Sequence, residues 1–327
     1  VTSTMTKKPD FTALLAEAKG YAAQRTSRAT NQAHEYDWKN FETWADCMGV
    51  NPLPASTDTI LAFLADQGRT KKMATLLRYK SSISVIHKEK GFPSPFGAPA
   101  VEHMLEGMRR QKGMAQEGRD ALDYDAVANA ELGDDIATIR NRALVLFGFM
   151  TALRGTEICA LNMEDLEFVD EGVIVTVRKS KTDQHRTGRV VSVPRSKTKK
   201  TCPVRALEKW MQEIGKAGQA SGPVFRTISR AGAVLSKRIS RGTVWEVVKD
   251  LAKRAGLEGD YGAHSLRAGY VTRAHENGVG WDAIRAQTGH KGDIVRRYSR
   301  HTQDPFMESQ SLDVLDGAKK KPKEKKR

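Results

Sequence analysis

Four short segments carry side chains whose types and spacing suit work on a phosphate ester. In ThrAlaLeuArgGlyThrGluIle, residues 151–158, Arg154 ends an apolar run that would otherwise continue inward. Glu157 stands three residues later, on the same face of a helix, where it can hold the guanidinium. In ArgLysSerLysThr, 178–182, Lys181 presents an ammonium from a polar stretch. In GlyAlaHisSerLeuArgAlaGly, 262–269, a helix would project His264 and Arg267 to one side, where both can meet a phosphate, and turn Leu266, Tyr270 and Val271 to the other. In ThrGlyHisLysGlyAspIleValArgArgTyrSerArgHis, 288–301, His290 follows a glycine able to end a helix. Tyr298 lies there among Arg296, Arg297 and Arg300, with Ile294 and Val295 to anchor a short helix. Each segment alone has a plainer reading: a structural ion pair, a solvated turn lysine, a core histidine, an amphipathic surface helix.

These groups need elements to carry them. Before residue 110, apolar side chains recur at helical spacing: Phe41, Trp44, Ala45 and Met48; Ile60, Phe63 and Leu64; Met73, Leu76, Leu77 and Lys80; Val101, Met104, Leu105 and Met108. That pattern predicts a helical bundle over 1–112, with Pro93, Pro95 and Pro99 ahead of its last helix. Residues 113–121, with Gly113 and Gly118, read as a connection to a second domain over 122–303. There, Asp135 to Leu153 predicts a long helix buried on most sides. Val173–Arg178 and Val190–Val193 predict a hairpin with Lys181 in its long turn. Pro203 opens a helix over Val204–Ile214, and Thr243 with Glu246 predicts a capping box ahead of Val244, Val247, Val248 and Leu251. Shorter helices follow over Ser265–Glu276, Trp281–Thr288 and Asp293–His301. The fold class is mainly α with a small β-sheet in the second domain.

The chain has 327 residues and a net charge of +15. Residues 319–327 hold seven cations and one Glu, so +9 remains elsewhere, an excess that points to a polyanion such as nucleic acid. The longest apolar run, Ala143–Leu153, has 11 residues, where a membrane span needs roughly 20, so no membrane role is expected. Cys47, Cys159 and Cys202 fit neither a disulfide framework nor a paired-thiol metal site, which suggests a reducing compartment. No secretory signal is apparent, and the Val start suggests processing or an edited N-terminus. No phosphate-binding glycine loop, paired acidic cluster or zinc spacing is visible, so no cofactor and no metal are expected.

In the order Arg, Lys, His-x-x-Arg, His, Tyr, the segments resemble the tyrosine recombinase (integrase) family over residues 120–301, and the helical bundle before them resembles its core-binding domain. The resemblance implies a two-domain DNA clamp around a catalytic domain. It assigns Arg154 and Arg267 as phosphate-clamping arginines, Lys181 as the hairpin lysine, His264 and His290 as the two histidines, and Tyr298 as the nucleophile. Glu157 is a supporting residue. The family usually separates its second His from the Tyr by nine residues and here the separation is eight, a difference that Lys291-Gly292 is expected to absorb. Tyr261 and Tyr270 are the competing phenols.

The implied activity is site-specific strand cleavage and rejoining through a 3′-phosphotyrosine and a Holliday junction. The implied partners are double-stranded DNA with inverted-repeat sites and three further copies of the chain in a homotetramer. Residues 304–318, with Phe306, Met307, Leu312 and Leu315, would dock on a neighbouring copy or on their own domain, and 319–327 would form a basic tail. No arm-binding domain precedes residue 30, which favours a simple recombinase acting in the cytoplasm at the nucleoid; the basic tail leaves a nuclear address open. A type IB topoisomerase and a non-catalytic architectural or regulatory DNA binder are the alternatives.

Overall fold

The computed structural model describes residues 10–23, 27–113, 118–178 and 188–290. Lys181, Tyr298, the helix expected over 293–301, the segment 304–318 and the tail lie outside them. The chain divides into two units, Val1–Glu117 and Gly118–Arg327.

The first unit contains α1 (Phe11–Ala23), α2 (Arg28–Met48), α3 (Thr57–Gly68), α4 (Met73–Glu89) and α5 (Pro99–Lys112). Ser27 and Ser56 cap α2 and α3, each accepting a backbone N–H three residues on, and Gly49 ends α2 in the left-handed region at φ 67°. The four apolar stripes meet in one core around Phe41, Ile60, Phe63, Leu64, Leu76, Ile83, Val101 and Leu105. Two positions differ from the sequence reading. Met48 is exposed because α2 ends there, and Lys80 leaves the stripe to pair with Glu102 of α5. Asp37 is fully buried; it accepts from Arg78 Nε and Nη2 at 2.9 and 2.8 Å and from Ser82 Oγ at 2.8 Å. Those donors offset the cost of removing a carboxylate from water.

The second unit begins earlier than the sequence suggests. Residues 118–121, expected within the connection, run with it: Asp120 N–H donates to Asp260 O at 3.3 Å, and the next residue but one, Leu122, donates to Ser265 O at 3.1 Å. Its elements are α6 (Tyr124–Asn129), α7 (Ile136–Thr151), α8 (Gly155–Ala160), β1 (Leu166–Val169), β2 (Gly172–Val177), β3 (Arg189–Pro194), α9 (Pro203–Lys216), β4 (Arg226–Ile228), β5 (Val234–Arg238), α10 (Arg241–Arg254), α11 (Ala263–Glu276) and α12 (Trp281–Thr288). The apolar half of α7 makes it the spine of this unit, against which α9, α10 and α11 pack. Strands β1, β2 and β3 form an antiparallel sheet that pairs Val173 with Val193 and Val175 with Val191, so one apolar face meets the core. The β4–β5 hairpin has no counterpart in the sequence reading. At α10 the cap is Ser240, whose Oγ accepts from Thr243 N–H at 3.0 Å; Thr243 is therefore inside the helix, and the N-cap lies about a turn before the position expected from the sequence.

One glycine lets the helices approach. A Cβ on Gly269 of α11 would lie 2.3 Å from the Leu122 carbonyl oxygen and 2.6 Å from Phe149 Cε2, distances that real side chains do not tolerate. Overpacking of this kind costs about 1–3 kcal/mol. Gly269→Ala should therefore lower the melting temperature by several degrees, and should displace Arg267 on the same helix. An unchanged melting curve would contradict the close approach.

Candidate active site

The site is assembled where α7 ends, α8 and α11 begin and α12 stops. After Thr151 the chain leaves α7 through Ala152, a non-glycine residue in the left-handed region at φ 49°. Such conformations persist where surrounding contacts over-determine them. Here the Ala152 carbonyl accepts from Arg267 Nη1 at 2.9 Å. The chain then extends through Arg154, the residue that precedes α8, with φ −69° and ψ 151°. Glu157, in the first turn of α8, accepts the Arg154 backbone N–H on Oε2 at 3.0 Å and Arg154 Nη1 on Oε1 at 2.8 Å. The contact expected from their spacing is made, with Arg154 outside the helix as its cap. The Glu157 side chain is 3% exposed and that of Arg154 is 19% exposed, so the guanidinium keeps a face toward solvent.

Glycine again sets the approach of two elements. A Cβ on Gly155 would fall 2.9 Å from the Ala263 Cβ, so the starts of α8 and α11 touch. His264 and Arg267 follow on α11. The sequence suggests a helix with one polar and one apolar side, but Arg267 is as fully buried as Leu266 and Val271, because neighbouring elements cover α11 on both sides. A buried guanidinium needs acceptors. Besides Ala152 O, Arg267 donates through Nε to His290 Nε2 at 3.2 Å.

That bond fixes the state of His290. With Nε2 accepting, Nδ1 carries the proton and faces Thr288 Oγ1 at 2.9 Å, and the Thr288 hydroxyl donates onward to Ile284 O at 2.7 Å. His290 follows Gly289, which ends α12 at φ 66° as the sequence suggests. Burial, followed by Arg267, Arg154, His264 and Arg189, drives the His290 pKa down to about 3. Burial, then Arg267 and Arg154, also lowers that of His264. Both imidazoles are uncharged at neutral pH, and the positive charge of the site resides on guanidiniums.

The structure thus brings together Arg154, Glu157, His264, Arg267 and His290. It also adds one cation that the sequence reading missed. Arg189, the first residue of β3, reaches Glu157 Oε2 with Nη2 at 3.5 Å and donates through Nη1 to the Gln287 carbonyl in the last turn of α12. The signal was present in the period of the strand, since Arg189 shares its face with the buried Val191 and Val193. The competing phenols, Tyr270 and Tyr261, are half-buried, and burial raises the pKa of each; the Tyr261 hydroxyl donates to Glu258 O. No described helix is long and apolar enough to cross a membrane.

Known proteins resemble this chain in sequence and in fold. Residues 124–304 match the model of the phage integrase family. An integrase/recombinase xerD homolog of Selenomonas ruminantium is 33% identical over 282 residues, covering 83% of this chain and 82% of that protein. Recombinase cre of Escherichia phage P1 is 24% identical over 279 residues, covering 80% and 77%. Among solved structures, a lambda integrase tetramer bound to a Holliday junction is similar in fold, with a TM-score of 0.54 and 18% identity over 90% of this chain and 82% of that one. With a family match over most of the second unit and a relative aligned along four-fifths of its length, the chain belongs to the phage integrase family and is a tyrosine recombinase.

Proposed function

We propose that this recombinase exchanges DNA strands at specific sites by two successive transesterifications. The Tyr298 hydroxyl attacks the scissile phosphate, a 3′-phosphotyrosyl ester forms and a 5′ hydroxyl leaves. A 5′ hydroxyl from a second strand then attacks that ester, restoring the phosphodiester and freeing the tyrosine. Because one ester replaces another, the bond energy is kept and no ATP is needed. A phenol with an ordinary pKa of about 10 is a weak nucleophile until its proton is removed. Uncharged His264 takes that proton or orients the phosphate. Arg154 and Arg267 donate to the non-bridging oxygens, where negative charge builds. Glu157 orients Arg154, His290 orients Arg267, and Lys181 protonates the departing 5′ oxygen.

The observation that supports this most is the meeting of the Arg154 and Arg267 guanidiniums with two uncharged imidazoles at the junction of α8, α11 and α12. The substrate is duplex DNA with inverted-repeat sites, held by a homotetramer in the cytoplasm; the lambda integrase tetramer on a Holliday junction supports the assembly.

The test uses duplexes recovered with the chain from cells, nicked beside the scissile phosphate so that the cleaved end diffuses away. A denaturation-resistant protein–DNA adduct is expected. Binding without an adduct would leave only a DNA-binding role, and efficient relaxation of plasmid lacking the site would indicate a topoisomerase.

The lowered pKa of His264 also sets a pH dependence. A base whose proton affinity is reduced stays competent as the pH falls, so the acid limb of adduct formation at subsaturating DNA should have its midpoint below the ordinary imidazole value of about 6.5. Single-turnover rates across the acid range check this. An acid limb with its midpoint above neutrality would count against His264 as the proton acceptor.

A further inference from the structure

The geometry points to Arg189 as a positioning residue of the reaction, one that shares the Glu157 carboxylate with Arg154 and thereby leaves the Arg154 charge available to the scissile phosphate. This rests on the strand-transfer reading above. Glu157 is a buried carboxylate facing the guanidinium that clamps the substrate. Paired with Arg154 alone, it would cancel that charge and weaken the attraction for an anion. A second guanidinium on the same carboxylate changes the balance. With Arg154, Arg189 and Arg267 set against Glu157, the cluster keeps an excess of two positive charges. A phosphodiester carries one negative charge and gains a second as the phenolic oxygen adds, so a positive excess on these guanidiniums stabilises the five-coordinate state more than the starting ester.

Arg189 is also placed to hold geometry. Its side chain is 16% exposed, and it spans from the first residue of β3 to Glu157 on α8 and to the Gln287 carbonyl, three residues before His290. A Cβ on Gly289 would lie 3.0 Å from Arg189 Nε and 3.1 Å from Cζ, so the glycine that ends α12 also makes room for the guanidinium. Gln287 secures the other side of this turn, donating through Nε2 to Met150 O at 2.9 Å and to Ser192 O of β3 at 3.2 Å. The end of α12, the start of α8 and β3 are thus held at fixed spacing around one carboxylate.

The experiment compares the full chain with its Arg189→Gln variant on two nicked duplexes, one with a normal scissile phosphate and one with a neutral methylphosphonate there. On the phosphate, the variant should form adduct about 10- to 100-fold more slowly, the size usual for a residue that orients a reacting group, while its DNA affinity changes less than about threefold. On the methylphosphonate, which asks less of the positive clamp, the two chains should differ by less than about threefold. A second arm uses the Glu157→Gln background, where Arg189 has no carboxylate to neutralise and its loss should cost under about threefold. Equal rates on the phosphate, or the same slowing on both substrates, would overturn the assignment. If Arg189→Gln melts below the assay temperature, Arg189→Lys is judged by the same comparison. A parent chain inert on both duplexes overturns the strand-transfer reading together with this one; an active parent with an unclosed gap overturns only Arg189.

Discussion

A Tyr298→Phe chain is expected to bind its site within about twofold of the parent and to form no covalent adduct with nicked DNA. The substitution removes one oxygen and keeps the ring, so contacts that depend on shape persist while the attacking atom is gone. The loss should be complete, since neither arginines nor histidines of the site offer a stable ester to a 3′ phosphate. The measurement is a denaturing gel beside an equilibrium binding titration at one fixed salt concentration, because phosphate contacts make affinity steeply dependent on salt. An adduct from this variant would move the nucleophile to another phenol. The described candidates are poorly suited. Tyr124 is pushed up to about 12, chiefly by burial, and donates to Thr201 O at 2.6 Å, and Tyr270 packs its ring near Phe149 at 6.3 Å.

The second large effect is expected at Arg267. Removing a fixed donor to a developing oxyanion costs about 100- to 1,000-fold in rate, and Arg267→Gln should slow single-turnover cleavage by that amount while binding weakens far less. A bound phosphate gains contacts from many residues, but the added charge of the transition state is met by few. Arg267→Lys should not rescue it. One ammonium on a flexible stem cannot serve Ala152 O, His290 Nε2 and a phosphate from the positions that a planar guanidinium fills at once. Equal losses in binding and cleavage would show that Arg267 serves affinity alone.

Much of this site is legible in the amino-acid sequence because its residues obey local rules. Glu157 falls at the position that closes on Arg154 when a helix starts at Gly155, so a spacing of three suffices. Gly289 ends α12 as a glycine after a helical run should, and Phe41, Ile60 and Leu105 declare their core by period. Other features depend on partners distant in sequence. The burial of Arg267 follows from elements packed on both sides of α11, which no window around 267 reveals. The β4–β5 pairing rests on short strands, with Val234 buried and the residues after it exposed or half-buried, too little periodicity to stand out. Arg189 escapes notice because an arginine beside a polar turn looks solvated until its strand phase is counted from Val191 and Val193. Thr243 misleads because Ser240 offers an equally good cap one turn earlier.

The acceptor that Arg267 finds at Ala152 is a main-chain oxygen, so no exchange of side chain at 152 can delete it. What an exchange can alter is the readiness of the backbone to hold φ at 49°. Glycine adopts that angle freely, whereas a β-branched residue resists it. Tolerance at this position is therefore governed by torsional preference rather than by chemical character, and a variant there fails by swinging the carbonyl away from a guanidinium that is itself unaltered.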